Sequence, residues 1–304
     1  MKIRVPEALT ESHVKYDGEA GRAWSAGLPA LAERYLEEWA LRLDGESRHG
    51  VVSLVLPVVR EDGTKAALKL QPVNDENATE APGLRTWAGD ASVLLLDSDP
   101  GTGTLLLERL EADRSLSGMP DDMKALGILA DLLARLVSYL APEGMRRLGD
   151  IARAMLDDVD GAVAKLPRES DRHWIRYCAG AVGELVPEPG DRLLHWDLHY
   201  DNVLAADREP WLSIDPKPLA GDPGFDLLPA LHNRWDDVVA TGDVRRAVLR
   251  RFDLMVDRLG LDPRRAAGWT LGRVLQNALW DVKDGETELN EIGLAVAEAV
   301  RQRI

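Results

Sequence analysis

The first third of the chain gathers its apolar residues into short extended runs, whereas the remainder repeats them every three or four positions. Residues 28–38 (LPALAERYLEE) set Leu28, Leu31, Tyr35 and Leu36 at helical spacing, and WALRL after them alternates like an opening strand. GVVSLVLPVVR and TKAALKLQ flank the turn EDG and predict a β-hairpin; SVLLLDSD and GTLLLERL flank DPGTG and predict another, the sheet ending at Glu108 to Leu110. From residue 121 the period becomes helical. Leu126, Leu129, Ala130, Leu133, Leu136, Val137 and Leu140 form one stripe, with Pro142 just past its end. Residues 148–166 and 172–185 predict two more helices, and Leu271, Val274, Leu275, Ala278, Leu279 and Val282 predict a core-facing stripe over 263–283 that leaves Gln276, Asn277, Trp280 and Asp281 on other faces. Strands gathered early and helices late indicate an α+β fold.

Composition narrows the partners. A chain of 304 residues with 45% hydrophobic residues can form one large domain or two lobes. The formal charge of −15 argues against nucleic acid and suits a cationic small molecule. No apolar run approaches membrane-spanning length, and MKIRVPEALTESH lacks the apolar core of a secretion signal, so the chain is expected in the cytoplasm, off the membrane, as a monomer. Its single cysteine, Cys178, excludes an intrachain disulfide and reads as a buried small residue.

The chemistry concentrates in LLHWDLHYDNVLAADREPWLSIDPKPLAGDPGFD, residues 193–226. His195, Asp197, Leu198 and Asn202 fit H-x-D-L-x-x-x-N, the spacing of a kinase catalytic loop. Phosphoryl transfer needs an aligned hydroxyl and neutralised phosphate oxygens. Asp197 is the candidate base or hydroxyl orienter, and Asn202 and Asp215 are candidate oxygen ligands for Mg²⁺. The apolar runs 203–205 and 211–214 around the polar turn DREP predict a hairpin returning Asp215 to Asn202. His195 reads as a backbone tether, Asp222 and Asp226 as structural acids, and His199 has no role.

HWDLHYDN, followed by IDPKPLAGDPGFDL, resembles the aminoglycoside phosphotransferase family, in its branch of streptomycin 6-kinases and hydroxyurea phosphotransferases. AGLPALAERY, AALKLQP, LLLERL and AAGWTLGRVLQNALWD extend the resemblance over nearly the whole chain. It implies a bilobal protein-kinase-like fold, with a small, mostly antiparallel nucleotide-binding lobe over 1–107 and a helical lobe over 108–304 that carries the catalytic loop and substrate pocket. The implied activity is ATP- and Mg²⁺-dependent phosphorylation of an aminoglycoside, streptomycin at its 6-hydroxyl first. A kinase for hydroxyurea or another hydroxylated metabolite, or a silent kinase-fold binding protein, is the alternative. Lys69 then corresponds to the lysine that grips the ATP phosphates, fixed by Glu80 or Glu76. Glu108 and Leu110 mark the adenine hinge. The segment over the phosphates departs from a glycine-rich loop, offering only Gly50, with Ser47 and Ser53 nearby. Trp280, Asp281 and Asp284 are candidates for a guanidinium-bearing substrate, since carboxylates pair with guanidinium groups and an indole face stacks on them.

Overall fold

The first helix is longer than its apolar spacing predicts. A computed structural model describes residues 3–304, and helix α1 spans Glu7–Glu38. Its buried face runs through Leu9, His13, Gly21, Ser25, Leu28, Ala32 and Tyr35. The first half of that face is mostly small or polar, so only the second half, from Leu28, carries an apolar repeat. Gly18 bends the helix with φ 59°, and a Cβ on Gly21 would fall 2.1 Å from the His13 carbonyl oxygen, so glycine is required at that close approach.

The chain divides into one unit ending at Glu111 and another running from Ala112 to Ile304. In the first, α1 is followed by β1 (Arg42–Leu43), β2 (Arg48–His49), β3 (Leu54–Val59), β4 (Lys65–Leu70), α2 (Glu80–Trp87), β5 (Leu95–Asp99) and β6 (Thr104–Glu108). These strands form an antiparallel sheet in the order β1-β3-β4-β6-β5, with β2 paired to β3. The predicted hairpin registers Leu54 against Leu70 and Leu56 against Leu68. Alternation buries Leu54, Leu56 and Val58, and these pack with Leu68 and Leu70 against Leu28, Ala32 and Tyr35 of α1.

The second unit is mainly helical, with β7 (Glu111–Ser115) leading into α3 (Asp122–Leu136), α4 (Leu148–Lys165) and α5 (Glu169–Leu185). Short strands β8 (Arg192–Leu194), β9 (Val203–Ala205), β10 (Leu212–Ser213) and β11 (Leu219–Gly221) follow, β9 pairing with both β7 and β10 and β8 with β11. The remainder is α6 (Leu228–His232), α7 (Trp235–Ala240), α8 (Val244–Leu259), α9 (Pro263–Lys283) and α10 (Glu291–Val300). The α3 stripe stops earlier than expected. After a turn at Val137 and Ser138 the chain bridges Arg192 of β8 at Leu140, through Leu193 N to Tyr139 O and Ala141 N to Asp191 O, and Leu140 is 60% exposed.

Helix α9 lies against α4, α5, α8 and α10, so its burial exceeds one stripe. Gln276, expected on an outer face, is buried and accepts a hydrogen bond from Arg273. Cys178 on α5 is buried too, its thiol pushed up to about 12 by desolvation.

Candidate active site

Strand β8 delivers the chain directly into His195, Trp196 and Asp197. Trp196 has φ 67°, a left-handed conformation that costs a residue with a Cβ about 1–2 kcal/mol. Asp226 holds it there, its two carboxylate oxygens accepting His195 N at 2.8 Å and Trp196 N at 2.6 Å. Burial pushes the Asp226 carboxyl up to about 7, against the pull of those two N–H donors. His195 is fully buried and donates from Nε2 to the Ile214 carbonyl at 3.1 Å. Burial lowers its pKa to about 4, so the ring is a neutral tether.

The hairpin sets the other two residues. β9 and β10 pair Val203 with Ser213, and Ile214 N donates to Asn202 O at 2.9 Å. Asp215, the next residue, therefore lies beside Asn202, with its own φ at 57°. Asn202 Nδ2 donates to the Asp197 carbonyl at 2.9 Å. Asp197, Asn202 and Asp215 thus share one hydrogen-bonded frame. Two left-handed non-glycine residues within it mark backbone held by surrounding bonds.

Lys217, which no spacing in the sequence singles out, joins this frame. Its Nζ donates to Asp197 Oδ2 and lies 3.9 Å from Asp215 Oδ2, while its backbone N donates to His195 O at 3.0 Å. No recognised spacing in IDPKP marks it, because Asp215 at φ 57° breaks the extended alternation that would place two residues on one side.

The donor set fits Mg²⁺. With Nδ2 engaged by Asp197 O, Asn202 keeps its amide oxygen for a ligand, and the Asp215 side chain is 42% exposed. No cluster of three or more His, Cys, Asp or Glu residues suited to a metal occurs among the described residues. Two hard oxygen donors, completed by phosphate and water, match Mg²⁺ and not the nitrogen and sulfur sets of zinc.

In the first unit Lys69 is 5% exposed, not solvated as a lysine on a half-buried strand usually is. Its Nζ donates to both oxygens of Glu80, at 2.7 and 2.9 Å, and Gln71 Nε2 donates to the same carboxylate at 2.6 Å. Glu76 lies before α2, in a turn where its N–H donates to Asn74 Oδ1, so of the two predicted partners Glu80 makes the pair. Glu108 ends β6 with its N–H donated to Leu94 O and its carboxylate accepting Leu94 N. That N–H is committed to the sheet. Gly50 N pairs with Ser53 O, and the Ser47 hydroxyl is engaged by Arg4 O.

Trp280 and Asp281 line a cavity of about 300 Å³ in the second unit, with His232, Asn277 and Asn290 among the other walls. Trp280 is 40% exposed, and its indole meets that of Trp196 edge-on at 5.9 Å, so the cavity wall touches the residue preceding Asp197. Arg273 stacks on both indoles, 4.8 Å from Trp196 and 5.3 Å from Trp280. Burial, with Glu286 and Asp284 nearby, raises the Asp281 carboxyl. Asp284 is exposed at the C-cap of α9 and is not a wall residue.

A sequence profile described as aminoglycoside/hydroxyurea antibiotic resistance kinase matches residues 38–285. The chain belongs to this family. It is 58% identical to a streptomycin 6-kinase of Streptomyces glaucescens over 98% of this chain and 97% of that protein. It is also 52% identical to a hydroxyurea phosphotransferase of Kitasatospora aureofaciens, over 99% of this chain and 87% of the other. Among solved structures, a thermostable mutant of aminoglycoside phosphotransferase APH(4)-Ia, in ternary complex with ADP and hygromycin B, matches with a TM-score of 0.60. The identity is 13%, over 90% of this chain and 98% of that one. The α+β fold is therefore protein-kinase-like, and a kinase of this family is a phosphotransferase that acts on a hydroxyl group. No described helix of this family member is long and apolar enough to cross a membrane.

Proposed function

We propose that this kinase transfers the terminal phosphate of ATP to an aminoglycoside, with the 6-hydroxyl of streptomycin as acceptor, and thereby inactivates it. The observation carrying this reading is the shared frame of Asp197, Asn202 and Asp215, with Lys217 beside two of them. Asp197 orients the acceptor hydroxyl and takes its proton as the oxygen bonds phosphorus and the bond to the leaving diphosphate breaks. Asn202 Oδ1 and the Asp215 carboxylate would hold Mg²⁺. When bound, that ion offsets charge on the phosphate oxygens.

Lys69, fixed by Glu80, grips the nucleotide phosphates, Leu110 meets the adenine, and residues 1–107 serve as the nucleotide-binding lobe. The Trp280 indole and the Asp281 carboxylate receive a guanidinium of the acceptor, and Asp284 adds to the local negative potential. The phosphorylated drug carries bulk and negative charge where its target expects a hydroxyl. We place the enzyme in the cytoplasm as a monomer.

The 52% identity to a hydroxyurea phosphotransferase favours one second reading, a hydroxyurea kinase with the same ATP machinery. Incubating the protein with Mg·ATP and each acceptor, followed by mass spectrometry for one added phosphoryl group, separates the two. The first reading expects streptomycin phosphate from the wild type and almost none from Asp197→Asn, with nucleotide binding retained. Phosphorylated hydroxyurea without phosphorylated streptomycin would replace it with the second.

A further inference from the structure

His232 closes helix α6, six residues after the carboxylate that holds the catalytic loop. Its backbone is clamped on both sides. The buried guanidinium of Arg251 donates to the carbonyls of Leu231 at 3.2 Å and Asn233 at 2.8 Å, and to the Asp122 carboxylate at 2.8 Å. The imidazole is half-buried on the wall of the cavity that also holds Trp280 and Asp281, and it makes no hydrogen bond to any of the described residues. Asn290, another wall residue, is already engaged in capping α10. Burial and the nearby Arg273 and His199 lower His232 to about 4, against the opposing field of Asp197. The ring is therefore neutral at physiological pH, with one N–H donor and one acceptor nitrogen available. It also lies within the electrostatic reach of the base.

We propose that His232 is a specificity residue of the acceptor site, hydrogen-bonding a ring hydroxyl next to the one that is phosphorylated. The inference rests on the streptomycin reading above and deepens it. An acceptor whose guanidinium is held by Asp281, and whose reacting hydroxyl faces Asp197, brings its intervening ring across this wall. A neutral imidazole suits that position because it can donate to or accept from a hydroxyl without adding a cation beside a cationic substrate. Such a contact selects a cyclitol bearing neighbouring hydroxyls over a molecule too small to span the cavity.

The test compares full-length wild type, His232→Ala and His232→Gln, using steady-state KM for streptomycin and for ATP and calorimetric binding of streptomycin. His232→Ala is expected to raise the streptomycin KM and Kd roughly five- to tenfold, the loss of one neutral hydrogen bond, with the ATP KM unchanged. His232→Gln, which keeps a donor and an acceptor, is expected to recover part of the loss. A folded His232→Ala with wild-type KM for streptomycin overturns the inference alone. Equal losses for streptomycin and ATP also overturn it, since they indicate a structural role. A wild type that neither binds nor phosphorylates streptomycin overturns both the function and this residue's part in it.

Discussion

Lys217 Nζ donates to the carboxylate of Asp197 while standing 3.9 Å from that of Asp215. One ammonium therefore lies beside both acids of the site, where it relieves their repulsion and orients the proposed base. Lys217→Met should lower kcat roughly ten- to hundredfold, the value of a charge-assisted hydrogen bond, and Lys217→Arg should retain more activity. A kcat for Lys217→Met within about twofold of wild type would mean that the contact has no catalytic weight.

The Lys69–Glu80 pair is buried, so its two halves are not equivalent to the whole. Glu80→Ala leaves an ammonium in the interior without its carboxylate, and should destabilise the protein by about 3–5 kcal/mol in denaturant titration. Lys69→Met combined with Glu80→Leu should recover part of that stability, because both buried charges go, yet leave the enzyme inactive. Activity in the double variant would exclude Lys69 from nucleotide binding.

Asp226 makes stability depend on pH in an unusual direction. Its folded carboxyl lies at about 7 against an ordinary value of 3.8, so between these limits the native state holds a proton that the unfolded chain releases. Its contribution is full below the ordinary value and is lost as pH rises towards 7. His195 and His232, lowered to about 4, act oppositely, and their contribution grows as pH rises from about 4 to 6.5. The wild-type Tm alone therefore mixes the two trends. The Tm of wild type minus that of Asp226→Asn isolates Asp226, and should fall between about pH 4 and 7 and level off above it. A flat difference would place the Asp226 carboxyl in the normal range.

Asp281 should govern the affinity for a cationic acceptor. Asp281→Asn is expected to raise the streptomycin KM roughly ten- to hundredfold with little change for ATP, whereas the exposed Asp284→Asn should have a small, salt-sensitive effect. Burial and the neighbouring Glu286 and Asp284 raise the Asp281 carboxyl, so streptomycin binding should weaken on acidification at a pH above that of an ordinary exposed aspartate. Calorimetry across pH would reveal this, and the dependence should vanish in Asp281→Asn.

Features that depend on near neighbours were legible in the order of residues alone. The spacing of His195, Asp197 and Asn202, and the turn that returns Asp215 beside them, are short-range geometry set by covalent connection and strand pairing. The β3–β4 hairpin and the helices α4 and α5 follow for the same reason, because one period of burial fixes each. Tertiary structure decided what depends on residues far apart in the chain. Only packing chose Glu80 over Glu76 for Lys69, since both lie within reach along the sequence and one is carried inward by α2. Packing alone also buried Gln276, ended α3 before Leu140 and built the first half of α1 on small and polar side chains that show no apolar period. The contact of Lys217 with Asp197 and the entry of His232 into the wall shared with Asp281 belong to this second group. A lysine and a histidine without a recognised spacing acquire chemistry only when the folded backbone sets a carboxylate or an open cavity against them.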